Sequence, residues 1–305
     1  MKRIQLVAPA GNMEKLSASL NSGADTVFLG GKILSMATGT HSFSDEELVI
    51  AVKLAEEKGK KIQVLLNAVP HNEDIEKLPN YIKFLESIGI KEVLVSDMGV
   101  FQCVREFSNM DIIVATHSSN TNWRSVEMWK KLGAKKVVLD RDLSIEGIAE
   151  IRNKVQDIEL EIFMHGAILL AISGRKILNN YMQEHKIDKN SESENFSLVE
   201  EKRPNEHMPI YEDKYGTYIY GARDLCAIES LEKLLTLGIN SIRIDGGMKD
   251  VDYLTTAIEI YKKAITSFES GNYAYDENWK EELQKRSQLP FVNWYEKNFE
   301  KEVEN

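Results

Sequence analysis

Cysteine is nearly absent. Cys103 and Cys226 are the only two among 305 residues, too few for a disulfide framework and in keeping with a reducing compartment. Long hydrophobic runs are missing too, and no stretch approaches the roughly 18 apolar residues that a membrane-spanning helix needs. Between Met1-Lys2-Arg3 and Ala8-Pro9-Ala10 lie only Ile4 to Val7, which leaves no apolar segment for a secretory leader. A soluble cytoplasmic protein with no membrane partner is expected. Positive charge is in deficit, 38 Lys and Arg against 48 Asp and Glu, a formal −10, so bulk attraction to nucleic acid is not expected. No G-x-S-x-G elbow, Walker loop, G-x-G-x-x-G or H-E-x-x-H helix occurs, which removes the usual signals of serine hydrolases, nucleotide sites and zinc proteases. What is present, 43% hydrophobic and 28% charged residues, suits one large or two ordinary folded domains with a self-sufficient core.

One pattern recurs: an amphipathic stretch, a glycine, a polar residue or two, then a β-branched run. It appears at Gly23-Ala-Asp-Thr-Val27, Gly59-Lys-Lys-Ile62, Gly89-Ile-Lys-Glu-Val93, Gly133-Ala-Lys-Lys-Val137 and Gly238-Ile-Asn-Ser-Ile242. Glycine just past a helix adopts the left-handed conformation at little cost, and a short apolar run after it reads as a strand buried on both faces. Eight strands follow: Gln5–Ala10, Thr26–Gly31, Lys61–Asn67, Glu92–Asp97, Ile112–His117, Lys136–Asp140, Leu160–Gly166 and Ser241–Gly246. Ser44-Asp-Glu-Glu47 is a capping box, Pro79 suits the first residue of a helix Pro79–Ser87, and Val251–Phe268 closes the last unit. The class is α/β and the architecture a (β/α)8 TIM-like barrel, with an open doubly wound sheet as the competitor.

The spacing breaks between strands seven and eight, where about 75 residues intervene, more than one helix requires. The polar stretch Gln183–Asn195 and the alternating segments Phe196–Val199 and Thr217–Tyr220 predict a lid or hairpin, residues 171–222, inserted into a barrel spanning residues 1–270. The tail, residues 271–305, carries Trp279, Phe291, Trp294, Tyr295 and Phe299 and is expected to pack on the barrel exterior.

Barrel chemistry gathers where strands end. Those ends hold Asn12, Asn67 with His71, Asp97, His117, Arg141 with Asp142, His165 and Asp245. Asn12 and Asn72 also suit helix caps. The convergence suggests a site for a polar small molecule: Asp97, His165 and Asp245 are candidate acid–base groups, and Asn12, Asn67, His71, Arg141 and Arg175 candidate ligand contacts. Arg141 and Arg175 offer planar two-pronged donors suited to a carboxylate. Three histidines after strands three, five and seven could hold zinc, but no supporting metal motif accompanies them. Cys103 reads as a core residue of an amphipathic helix. Lys130, Lys131, Lys135 and Lys136 form a local basic cluster that suits either a phosphate contact or a solvated helix end.

Several unlinked motifs occur in order: Ala8-Pro-Ala-Gly-Asn12, Gly23-Ala-Asp-Thr-Val-Phe-Leu-Gly-Gly31, His71-Asn72, Val95-Ser-Asp97, His165-Gly166, Ser173-Gly-Arg175, Leu198-Val-Glu-Glu-Lys-Arg-Pro204, Asp224-Leu-Cys226 and Ile244-Asp-Gly-Gly-Met-Lys249. Together they resemble the collagenase-like peptidases, the unassigned peptidase family numbered 32, from Leu6 to about Phe268. The resemblance implies a barrel, a peptidase label, and membership beside proteins that hydroxylate wobble uridine in tRNA with prephenate as hydroxyl source, or hydroxylate ubiquinone precursors. Those proteins often hold an iron–sulfur cluster on four cysteines. At the corresponding positions stand Leu169 and Lys176, a cysteine-free loop Gln183–Asn195, and Cys226, the one thiol kept; a cubane normally needs four thiolates. Family arginines are also replaced, by Ala37 and Gly247, a late His-Arg pair by Gln288-Leu289, and the extra C-terminal domain of longer members is expected to be absent.

The resulting expectation is a short member without cofactor or metal, a non-catalytic or accessory subunit paired with a longer 4Fe-4S-bearing paralogue in 5-hydroxyuridine formation, meeting tRNA only through that complex. Alternatives are a collagenase-like peptidase acting alone and a non-catalytic barrel that binds a small molecule.

Overall fold

The computed structural model describes residues 3–36, 42–115, 119–187 and 196–296. Seven strands come first: β1 (Gln5–Pro9), β2 (Thr26–Gly30), β3 (Lys61–Leu66), β4 (Glu92–Val95), β5 (Asp111–Val114), β6 (Lys136–Val138) and β7 (Glu159–Ser173). Then come β8 (Phe196–Glu200), β9 (Arg203–Glu212), β10 (Thr217–Cys226), β11 (Ser241–Asp245) and β12 (Phe291–Val292). Helices α1 (Met13–Asn21), α2 (Asp45–Glu57), α3 (Asn72–Ser87), α4 (Met98–Phe107), α5 (Trp123–Leu132) and α6 (Ile145–Lys154) join the first seven strands. Helix α7 (Ile177–Glu184) opens the insertion, α8 (Leu231–Thr236) leads to β11, and α9 (Val251–Glu269) and α10 (Glu277–Arg286) follow it. Strands β1 to β7 pair in parallel, β11 pairs in parallel with β7, and β1 pairs in parallel with β11. The circuit closes, and the fold is an eight-stranded TIM-like α/β barrel rather than an open sheet.

Local signals explain most helix starts. The Asn12 side chain accepts from the Lys15 amide at 2.8 Å, and the Ser44–Glu47 capping box is formed. Helix α3 differs from expectation. It begins at Asn72, not Pro79, because the His71 amide donates to Asp74 Oδ2 at 2.9 Å and organises the first turn there. Asn72 is therefore the first helical residue and not the cap, and Pro79 lies inside, unable to donate to the carbonyl four residues back.

Period-two alternation divides the strand residues. One set packs against the helices. The other fills the lumen with an apolar layer, Val7, Phe28, Leu65, Leu94, Ile113 and Val138. One step nearer the strand N-termini the lumen is polar and buried, with Gln63, Lys136, Glu161 and Ser241. Lys136 thus leaves the expected basic surface cluster: it points inward and pairs with Glu161 at 3.0 Å, while Lys130 and Lys131 pair with Asp157 and Glu127.

Strand β7 does not end at Gly166. It runs on to Ser173 because β10 pairs with it antiparallel, and β9 and β8 extend the ribbon. The insertion is a three-stranded ribbon standing on the seventh stave rather than a two-stranded hairpin. The tail packs partly outside, with Trp279 buried, but it also reaches the mouth: β12 pairs in parallel with β10, and Tyr295 Oη donates to the Phe163 carbonyl at 2.6 Å. His117, Ala37 and Phe299 lie outside the described residues. No helix among the described residues is long and apolar enough to cross a membrane.

Candidate functional site

A cavity of about 300 Å³ opens at the C-terminal ends of the barrel strands. Its floor includes Phe28, Leu65, Val138 and Arg243; its polar wall is Asn67, Asp140, Arg141, Asp142 and Asp245. Leu169, Leu170 and Tyr220 of the ribbon and Trp294 of the tail form the roof. Arg141 Nη2 donates to Asp245 Oδ2 at 2.8 Å, and its guanidinium lies 3.9 Å from the Phe163 ring centre. Burial pushes the Asp140 carboxyl up, and the charge of neighbouring Asp142 adds to that. The Asn67 side-chain oxygen accepts from the Met36 amide at 3.2 Å, tying the loop after β2 to β3.

Arg243 crosses the lumen under the cavity. Its Nε donates to Glu161 Oε1 at 2.6 Å and its Nη2 to Gln63 Oε1 at 2.7 Å. Its face rests 4.2 Å from the Phe28 ring centre. Burial alone would raise the Glu161 carboxyl, but the charges of Arg243 and Lys136 hold it at about 2. Gly166 brings β7 and β11 together beside this wall. Its φ is 110°, and a Cβ there would fall 1.4 Å from the Asp245 carbonyl oxygen.

Of the residues expected at the site, Asn67, Arg141 and Asp245 converge on the cavity. The others do not. His165 is mid-strand, because β7 continues past it, and faces α9 rather than the mouth. It is 1% exposed, with ring centres of Tyr253, Tyr261 and Phe291 at 5.3, 5.5 and 5.3 Å. Neither ring nitrogen has a hydrogen-bond partner among the described residues. Burial, with the Lys249 charge adding, lowers its pKa to about 3; such a group is placed for packing and not for proton transfer at the mouth. Asp97 accepts from the Val100 amide at 2.9 Å as the cap of α4, and Asn12 likewise caps α1. His71 is exposed at the start of α3. Arg175 is exposed on the turn after β7, its carbonyl accepting from Thr217 Oγ1 at 2.8 Å.

Sequence reasoning missed Arg243, Asp140 and Trp294 as cavity residues. Arg243 precedes Asp245 by two, so strand alternation puts both on the luminal face; that signal was present. Trp294 carries none, since only the folded tail brings it to the mouth.

The positions of the family's cluster do not fit four-thiolate ligation. Leu169 forms part of the roof, and Lys176 is exposed at the start of α7. Cys226 is 1% exposed, and burial pushes its thiol up to about 11, away from the thiolate a metal requires. Among the described residues no group of three or more His, Cys, Asp or Glu is placed to hold a metal ion. The remaining thiol, Cys103, is half-buried and also raised by burial.

Known proteins with similar sequences include tRNA hydroxylation proteins and a collagenase. The tRNA hydroxylation protein P1 of Bacillus subtilis is 34% identical over 93% of this chain and 68% of its own length. The tRNA hydroxylation protein P2 of the same organism is 30% identical over 93% of this chain and 94% of its own length. The Collagenase of Porphyromonas gingivalis is 25% identical over 92% and 70%. Among solved structures, the U32 peptidase Mk0906 superposes with a TM-score of 0.51 at 15% identity, over 80% of this chain and 93% of that one, a likeness of fold. Residues 11–304 match Peptidase family U32. The chain therefore belongs to Peptidase family U32.

Proposed function

We propose that this chain is a subunit of a tRNA hydroxylation system, acting on wobble uridine with prephenate as hydroxyl source, and that it holds no iron–sulfur cluster itself. A longer, cysteine-bearing relative supplies the cluster and the contact with tRNA. The observation that carries this reading is the lost donor set, Leu169, Lys176 and a protonated, buried Cys226, in a chain similar to two tRNA hydroxylation proteins of one organism. A peptidase acting alone has less support, since both thiols are raised by burial and Ser173 Oγ accepts from the Arg175 amide at 3.2 Å within its own turn.

Nucleoside mass spectrometry of tRNA from two single-deletion strains tests the pairing. Deleting this chain or its longer relative should remove the same 5-hydroxyuridine-derived nucleoside. Full modification without this chain would overturn the paired reading, and gelatin hydrolysis by the purified chain would put the peptidase in its place. Anaerobically purified alone, the chain should be colourless; stoichiometric iron and sulfide would overturn its cluster-free role.

A further inference from the structure

The inserted ribbon is left unfinished at its far end. Ile210–Glu212 of β9 pair with β10, but from Pro209 back to Arg203 β9 pairs with β8 alone among the described residues. That end is a two-stranded hairpin, an arrangement of marginal stability in water. β8 ends the sheet, so on its outer side the backbone N–H and C=O groups meet no strand among the described residues. Its sequence, Phe196-Ser-Leu-Val-Glu200, has no proline and no charge before Glu200, and so lacks the usual protections of an edge. Leu198 and Val199, on opposite faces by strand alternation, are 43% and 45% exposed. Leu170 of β7, Ile177 and Tyr181 of α7 and Ile187 just past it are exposed as well. Helix α7 is tied to β9, the Leu178 amide donating to Glu212 Oε2 at 2.9 Å, so these side chains belong to one body, and apolar surface gathered in this way marks a contact with another molecule. The charges of the hairpin answer one another: Arg203 pairs with Glu200 at 2.8 Å and Glu206 at 3.3 Å, and Arg223 with Glu206 at 2.9 Å.

We propose, resting on the paired-subunit reading, that this ribbon is a docking arm whose occupant is the longer relative, which lays an extended strand along the open edge of β8 and covers Leu198 and Val199. Strand addition at an open edge draws its affinity from main-chain hydrogen bonds and needs only a second free edge. The match to Peptidase family U32 spans residues 11–304 and takes in the whole ribbon, so a relative of this family is expected to carry an arm with such an edge. Charge selects the relative over a second copy. Two copies of this chain set −10 against −10 and repel at long range. A chain that holds tRNA carries a basic surface and is attracted to an acidic partner. The added strand is also the third one that a hairpin needs for independent stability.

Titration of this chain with the separately purified longer, cysteine-bearing relative from the same genome tests the proposal. The wild-type chains should bind and co-elute in size exclusion. Leu198→Lys/Val199→Lys gives the edge the charges that natural edges use against pairing, and it should weaken binding at least about tenfold. Met128→Lys, at an exposed apolar position on α5, should leave binding unchanged, and neither variant should alter the far-UV circular dichroism or Tm of the single chain. Hydrogen exchange at the amides of Ser197 to Glu200 should slow in the pair. A pair that forms but is indifferent to the double variant, or leaves those amides unprotected, would overturn the docking arm while the paired reading stands. A relative that does not bind the wild-type chain at all would overturn both. A dimer of this chain alone that the double variant dissolves would put a second copy on the edge in place of the relative.

Discussion

The imidazole of His165 is enclosed by three aromatic rings and can be accommodated only when neutral. Its folded pKa of about 3 lies below the ordinary 6.5, so between those values the unfolded chain holds the extra proton. Its contribution to stability is therefore whole above about pH 6.5 and declines as pH falls toward 3, by up to about 1.4 kcal/mol per pH unit. Glu161 also weakens the fold in acid, but its folded value of about 2 against 4.5 confines that loss to below about pH 4.5. The interval from about pH 7 to about pH 5 thus separates the His165 contribution from that of Glu161. His165→Phe should flatten the fall in Tm across that interval; an unchanged slope would show that the imidazole is not titrating there. The same residue marks a limit of local reading. His-Gly at a strand end looks like barrel chemistry, and only the continuation of β7 shows which way the ring turns. Asn12 and Asp97 show the opposite case, since capping is decided within three residues and was readable for Asn12 beforehand.

Three staves, β6, β7 and β11, share the buried network of Lys136, Glu161 and Arg243. Removing its one anion differs from removing one of its two cations. Glu161→Gln leaves two buried positive charges unpaired and should cost about 3–5 kcal/mol, whereas Lys136→Met leaves the Arg243–Glu161 pair whole and should cost far less or stabilise. Urea unfolding of the two variants checks the order, and a larger loss for Lys136→Met would overturn it. The staves themselves were legible because buried parallel strands are short β-branched runs after glycine. Their polar lumen was not, because Lys136 sits beside Lys135 in sequence and only barrel closure separates an inward side chain from an outward one. Helix α3 departed from expectation for a related reason: Pro79 is a strong local stop signal, but a turn organised by Asp74 upstream carries the helix through it.

The whole molecule carries −10, and of the lysine cluster that offered a basic surface Lys136 lies in the lumen and Lys130 and Lys131 sit in local ion pairs. Long-range charge then repels phosphate before any short contact forms. Filter binding near physiological salt should retain no tRNA with this chain alone and should retain it with the pair of chains; tight binding by the single chain would remove the need for a partner. The amino-acid order by itself determined the barrel and most of its eight strands, since each depends on patterns a few residues long. Strand ends marked Asn67, Arg141 and Asp245 and alternation marked Arg243, but tertiary structure alone closed them into one cavity and added Trp294. Asn67, Arg141, Arg243, Asp245 and Trp294 come from distant segments, and their meeting depends on strand register, on the close approach that Gly166 permits, and on a tail folded back over the mouth. Side-chain direction in a closed barrel is set by pairing with neighbours far away in the chain, which no local pattern encodes.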